Sequence, residues 1–408
     1  MSGMTPDLRA RLEAFKAVRV KHPRLKEIDQ AVTRAIYEHT SYSILTLYGP
    51  SGAGKSTITK RIAERCLEQE PNRAIVPVGF VEARPGDIGA YARLDYYRQV
   101  TTTLREHAAV KDRLMNLALA AKSNQKSKDP GEWLDMQEGV EYALERLQVR
   151  AVVIDEAQHL MRVEAPHKPV EQLDWLKSLM NRTNVLHILV GNYEMYDFCH
   201  LNGQAARRGR DLHFPRYHLD TKSECEEFVG ALEYFLERVP LACDVAGLRE
   251  HWRWFGEWSL GCIGILRDWV VETVAALCEE GSTTLTIEAL KNHALQPDQR
   301  LRLEMEARAG EYKVEQEKAR SKQQLEELLG TPMTEPQTLP ANGTSTAHSL
   351  TQPPFSQATE PPKKTTWRRV GERAPQRDPI GEGPAEANTT KCSFSGPSHC
   401  SLAISRGP

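Results

Sequence analysis

Short continuous apolar runs alternate along this chain with stretches in which apolar residues recur every three or four positions. That alternation predicts buried strands set between amphipathic helices. Leu8, Leu12 and Phe15, then Ile28, Val32 and Ile36, predict two short helices interrupted at Pro23 and packed against the domain that follows. Ile44 to Tyr48 reads as a buried strand, Ser56 to Gln69 as a helix, and Ala74 to Ala83 as a second strand ending in the turn Glu82 to Gly86. Tyr91 to Thr103 and Trp133 to Leu147 read as helices, the latter with Trp133, Met136, Val140, Leu144 and Leu147 on one face. Two more apolar strands follow, Ala151 to Ile154 and Val185 to Val190, and then the strand-like Asp211 to His218. From Ser223 the pattern is helical, with one helix over Ser223 to Val239 and another over Leu266 to Glu279. A short extended piece and a helix over Thr283 to Leu290 close this region.

Leu301 to Leu329 is helical in period but charged, with few strong apolar positions, so it is expected to be a solvated extension or a partner helix. Beyond Gly330 the pattern stops. Half of the 24 prolines fall there among Thr, Ser, Gln and Gly, and such a segment buries too little apolar area to offset chain entropy. Disorder is expected, with the basic patch Lys363-Lys364-Thr-Thr-Trp367-Arg368-Arg369 as a short binding motif.

The length of 408 residues holds two or three domains. A formal net charge of −2 gives no global drive toward nucleic acid, so any such affinity must come from a local basic face. No apolar span is long enough for a membrane helix, and the polar N-terminus is not that of a signal peptide. The eight cysteines are scattered without a C-x-x-C pair, which suits a reducing cytoplasm better than a disulfide or zinc framework.

The chemistry concentrates after the first strand. Gly49-Pro50-Ser51-Gly52-Ala53-Gly54-Lys55-Ser56-Thr57 fits the phosphate-binding pattern G-x-x-x-x-G-K-[ST] between a strand and a helix. Glycine permits the close backbone approach, the loop N–H groups point at phosphate oxygens, Lys55 lies along the β- and γ-phosphates, and Ser56 gives its hydroxyl to magnesium. The expected cofactors are therefore ATP and Mg2+. The strand Ala151 to Ile154 ends in Asp155 and Glu156, the first placed for the metal shell and the second to polarise an attacking water. Asn192, at the tip of the strand Val185 to Val190, is a candidate to orient that water, with a turn-forming asparagine as the alternative. Arg267 is placed to open its helix and reach the nucleotide, with an exposed helix arginine as the equal alternative. The polar stretch around Lys122 and Lys126 is either a solvated loop or a DNA-phosphate contact.

These motifs together, namely Gly49 to Ser56, Val153-Ile-Asp-Glu-Ala-Gln-His159, Leu189-Val-Gly-Asn192, Gln204-x-x-x-Arg208, Phe214-Pro-Arg-Tyr217 and Gly261-x-Ile-Gly264, resemble those of the TniB/TnsC group of AAA+ ATPases that regulate DNA transposition. The resemblance runs from about Pro23 to Leu295. It implies an α/β fold, a P-loop AAA+ three-layer αβα core with a parallel sheet and a small helical lid domain, to which the composition adds the disordered C-terminal tail. Resemblance and composition together divide the chain into a helical arm over 1–40, the nucleotide domain over 41–220, the lid over 221–298, the charged helical extension over 299–329, and the tail over 330–408. It further implies an ATPase that forms a ring or helical filament of identical subunits on duplex DNA. That assembly would recruit a transposase, with a TniQ-like target-selection protein as a further partner, and disassemble on hydrolysis in the bacterial cytoplasm, a CRISPR-associated transposon being one setting. By motif position Arg208 is the arginine finger supplied to the next subunit, with Arg207 and Arg210 as alternatives, and Gly209 stands where the group often has an aromatic residue. The segments that contact DNA in this group point to Arg93, Arg98, Lys122 and Lys126. A secretion or cell-envelope AAA+ ATPase, or a helicase-loader-like scaffold switched by nucleotide, is the alternative reading.

Overall fold

The computed structural model describes residues 5–20, 22–38, 42–85, 93–105, 107, 110–111, 130–162, 169–200, 207 and 209–330. Arg208, Lys122, Lys126 and the basic tryptophan segment lie outside the described residues.

Five parallel strands make the central sheet: β1 (Ile44–Tyr48), β2 (Val78–Glu82), β3 (Ala151–Asp155), β4 (Leu186–Gly191) and β5 (Gly209–His213), in the order β2-β3-β4-β1-β5. Every residue of β1, β3 and β4 is buried, because alternate side chains feed two different cores. Ile44 and Tyr48 of β1, with Val152 and Ile154 of β3, join one core. Its helices are α4 (Arg93–Leu104), α5 (Pro130–Arg146), α6 (Pro169–Thr183) and α7 (Glu194–Cys199). Leu45 and Leu47, with Ala151 and Val153, join the other core, against α2 (Pro23–Tyr37) and α3 (Lys55–Gln69). This is the expected three-layer αβα core. Its buried histidine is paired. On β4 the fully buried His187 ring meets the Tyr96 hydroxyl at 2.8 Å, and burial lowers its pKa to about 4.

A third apolar cluster forms a helical lid from α8 (Lys222–Leu236), α9 (Val245–Glu250), α10 (Trp252–Trp258), α11 (Ile263–Glu280) and α12 (Ile287–Asn292), with the two-residue strands β6 (Ala242–Cys243) and β7 (Thr284–Leu285). The first helix, α1 (Pro6–Lys16), belongs to this cluster and not to the sheet domain, contrary to the sequence expectation. Leu12 and Phe15 are buried there, and Phe15 stacks on Phe235 with ring centroids 4.8 Å apart. The two predicted helices are separate, and Pro23 opens the second, α2, at its first helical position, where its missing N–H costs nothing.

Prolines also trim the strands. β2 starts only after Pro77, and β5 stops before Pro215, although the Phe214 N–H still donates to the Tyr48 carbonyl at 2.8 Å. No helix among the described residues is long and apolar enough to cross a membrane.

The largest departure is α13 (Pro297–Leu329), 33 residues long, with Pro297 at its start, a Gln296–Gln299 capping box and Gly330 left-handed at its end. Of the two expectations, a solvated extension or a partner helix, the first does not hold for its first half, which is docked on the chain itself. Ala307, Gly310 and Val314 are buried along one stripe, and a Cβ on Gly310 would lie only 2.1 Å from the Tyr193 ring. Arg216, just past β5 and 8 % exposed, bonds both Glu304 and Glu311, the latter at 2.9 Å. Burial alone would lower the pKa of Arg216, but those two carboxylates outweigh it and hold the guanidinium charged. Lys313 adds an ion pair to Asp197 at 2.6 Å. Small residues and ion pairs, not large apolar ones, fasten this helix.

Candidate nucleotide site

The loop after β1 reaches its shape through two left-handed glycines, Gly52 (φ 79°) and Gly54 (φ 102°). Gly49 is also required, since a Cβ there would sit 2.2 Å from the Phe214 carbonyl oxygen. α3 begins at Lys55 with Gly54 as its cap and no side chain bonding its first N–H groups, which leaves them for an anion. The lid closes on the same loop. Gly264, in the first turn of α11, comes so close to the Gly52 carbonyl that a Cβ would meet its oxygen at 2.3 Å.

Across from this loop stands the tip of β3. Ser56 Oγ donates to Asp155 Oδ1 at 3.1 Å, and the Glu156 N–H donates to the same oxygen at 3.0 Å. Burial raises the Asp155 carboxyl, with Glu156 and Glu82 adding to the rise, so the site disfavours this negative charge until a cation joins it. Glu156 sits at φ 51°, a left-handed position uncommon for a residue with a side chain and most often kept where geometry matters. Gln158 holds its carboxylate, donating from Nε2 to Glu156 Oε2 at 2.5 Å. Gly191 makes room for Gln158, whose Oε1 would lie 2.6 Å from a Cβ at that position.

One pocket of about 270 Å³ gathers these groups, lined among others by Gly52, Lys55, Ser56, Asp155, Glu156 and Asn192. Ser51, Gly54, Thr57 and Arg267 line it too, while Gly49, Pro50 and Ala53 complete the loop behind. Lys55 Nζ donates to the Gly49 and Pro50 carbonyls at 3.0 and 2.8 Å. Burial lowers the pKa of its ammonium against the pull of Cys262, Glu156 and Asp155. A buried cation satisfied only by carbonyls, beside free helix N–H groups, suits a polyphosphate; a hydroxyl on an ionisable carboxylate suits a hard divalent cation such as magnesium.

The remaining candidates stand as follows. Asn192 lines the pocket, and its Oδ1 accepts from the Glu194 N–H at 3.0 Å, the local bond of a turn-forming asparagine. Arg267 does not open its helix, because α11 starts four residues earlier at Ile263. Its guanidinium bonds Asp268 at 2.6 Å and the Lys16 carbonyl, so the arm and the lid share it. Arg93 is turned inward to α6, donating to Gln172 at 2.9 Å and to the Glu171 carbonyl at 3.0 Å, while Arg98 lies 3.8 Å from Asp95. Arg207 and Arg210 are exposed.

Three features were not read from the sequence. Gln158 had a signal, lying two residues beyond Glu156 in the same motif. Glu306 of α13, which accepts from Ser51 Oγ of the loop at 3.0 Å, had none. Neither had the cavity beside the loop, lined by Val20, His22 and Leu25 of the arm, Ala53, Ile58 of α3 and Ile263 of the lid.

A ligand pocket at the carboxyl ends of parallel strands, between a glycine loop and an acidic strand tip, is the mark of a P-loop nucleotide-binding protein, and the sheet order with its appended helical lid gives that protein the AAA fold. Residues 38–198 match the family model described as an AAA domain. No curated protein is a significant match. Among solved structures, the chain is similar to the Walker-type ATPase PABY2304 of Pyrococcus abyssi (15% identity, 68% of this chain and 75% of that one, TM-score 0.43). It is also similar to the Aeropyrum pernix ORC2 protein in its ADP form (15%, 68% and 68%, TM-score 0.44) and to the Aeropyrum pernix ORC1 protein in complex with DNA (16%, 66% and 63%, TM-score 0.45).

Proposed function

We propose that the protein is a magnesium-dependent ATPase whose nucleotide state controls its assembly on DNA. One observation carries the enzymatic part: Lys55, Ser56, Asp155, Glu156 and Asn192, far apart in sequence and gathered at the carboxyl ends of three strands, line one pocket. The loop N–H groups and Lys55 bind the phosphates of ATP, and Ser56 and Asp155 hold the magnesium ion. Glu156 accepts a proton from the attacking water, which Asn192 orients. The Gln158 amide fixes the Glu156 carboxylate at rest.

The finer reading rests on the resemblance of the Asp155-Glu-Ala-Gln-His159 and Gln204-x-x-x-Arg208 elements to the TniB/TnsC group. In it, Arg208 enters the pocket of the next subunit and stabilises charge on the transferring phosphoryl group. The ATP-bound oligomer lies on duplex DNA and recruits a transposase, and hydrolysis releases it. Arg98, Lys122 and Lys126 are its proposed phosphate contacts; Arg93 is a weaker candidate because its guanidinium is already engaged.

Full-length protein mixed with duplex DNA and a non-hydrolysable ATP analogue should form rings or filaments visible by negative-stain microscopy, and ADP should dissolve them. Particles that ignore both DNA and nucleotide would remove the assembly reading while leaving the ATPase reading standing.

A further inference from the structure

The first half of α13 touches three walls of the nucleotide site. On the phosphate loop, Ser51 Oγ donates to Glu306 Oε1 at 3.0 Å. At the tip of β4, Gly310 lies against the ring of Tyr193, the neighbour of the pocket residue Asn192. On the lid side, the Arg300 guanidinium stands 4.4 Å from the centre of the Trp258 ring. Arg216, which holds Glu304 and Glu311, also donates to the Leu260 carbonyl at 3.4 Å.

The carboxylates of this helix that reach the rest of the chain are not treated alike. Glu304 and Glu311 share the Arg216 guanidinium. Glu306 has no ion pair among the described residues, and the hydrogen bond it accepts comes from a neutral hydroxyl. It therefore stands with its charge uncompensated against a loop whose free N–H groups await an anion. Its charge also reaches Lys55: burial lowers the pKa of that ammonium, and Glu306 is among the acids that pull it back up. Lys55 is the residue placed to meet the β- and γ-phosphates, so Glu306 stands at the end of the site where the terminal phosphate arrives. The fastening of α13, by ion pairs and a narrow stripe of small residues, is of a kind that added charge can loosen.

We propose that α13 is a strap over the site that ATP loosens and ADP leaves fastened, with Glu306 as the group that tells the two nucleotides apart. The inference rests on the nucleotide reading above and adds its regulation. The γ-phosphate gives Mg–ATP one more negative charge than Mg–ADP, delivered beside a carboxylate with no cation of its own. Repulsion then favours the released helix, because the ligand binds that state better than the docked one. Linkage makes the effect reciprocal: docked α13 weakens ATP binding by the same factor by which ATP loosens α13.

The test is limited trypsin digestion of the full chain with magnesium and either ADP or a non-hydrolysable ATP analogue. Cuts at Arg302, Arg308 and Lys313 are followed by mass spectrometry, and binding of each nucleotide is measured by calorimetry in the same buffer. The analogue should speed those cuts about fivefold over ADP, the lower end of ordinary coupling between two sites. Glu306→Gln keeps an oxygen for the Ser51 hydroxyl and removes only the charge. In that variant the two nucleotides should give rates within about twofold of each other, and the analogue should bind about fivefold more tightly than to wild type. Equal cutting of wild type with both nucleotides bound overturns the proposal, leaves the nucleotide site standing, and needs no variant to fold. A difference between nucleotides that survives Glu306→Gln overturns it as well. If calorimetry shows neither nucleotide binding to wild type, the site falls together with the strap.

Discussion

Lys55→Ala is expected to lose triphosphate binding by on the order of 100-fold or more, the scale of a removed charge-assisted contact in a closed site. In the present arrangement the ammonium is buried, satisfied only by the Gly49 and Pro50 carbonyls, and its pKa is lowered by that burial. An incoming polyphosphate replaces two neutral acceptors with full negative charge, and without Lys55 that gain disappears. The loop itself should hold its shape, because Gly52, Gly54 and the contacts of Gly264 set it. Calorimetric titration with Mg–ATP alongside a thermal melt separates the two effects: affinity falls while the melting temperature stays near that of wild type. A variant that binds as tightly as wild type would contradict the role given to this residue.

The second large effect is expected far from the phosphates. Arg216→Ala removes the cation shared by Glu304 and Glu311, whose side chains are 22 % and 12 % exposed. Removing one partner of a buried ion pair costs about 3–5 kcal/mol, and the partial exposure of Glu304 places this case at the low end. The loss falls mainly on α13, so this helix should be released while the sheet persists. Limited trypsin digestion should then cut at Arg302, Arg308 or Lys313 in the variant well before wild type, and urea unfolding should show the lost stability. Gly310→Val should act likewise, since its Cβ would overlap the Tyr193 ring. Protease resistance unchanged in both variants would mean that α13 is held by something else.

The strands were legible because both faces of the sheet are covered, so β1, β3 and β4 read as unbroken apolar runs. The phosphate loop was legible because its glycines are dictated by backbone angle and close approach, constraints no other residue meets. What stayed hidden lacked a periodic signal. α13 docks through Ala307, Gly310 and Val314 and through ion pairs, and a pattern search for large apolar residues passes over such a stripe. α1 shows the same amphipathic spacing whichever core it joins, so its choice of the lid is set by tertiary shape around Phe235. The helix carrying Arg267 starts three residues earlier than its apolar spacing suggests, and Arg267 both lines the pocket and bonds the Lys16 carbonyl of the arm. His22 is one histidine among thirteen until Tyr217, nearly two hundred residues later, is brought to its Nδ1.

Everything functional depends on the loop and the acidic strand tip serving a single reaction, and phosphate release by Glu156→Gln tests this most directly. With saturating Mg–ATP the variant should bind nucleotide as wild type does yet release phosphate at least about 100-fold more slowly, the usual contribution of a positioned general base. Phosphate release at the wild-type rate, or loss of nucleotide binding along with turnover, would contradict the account.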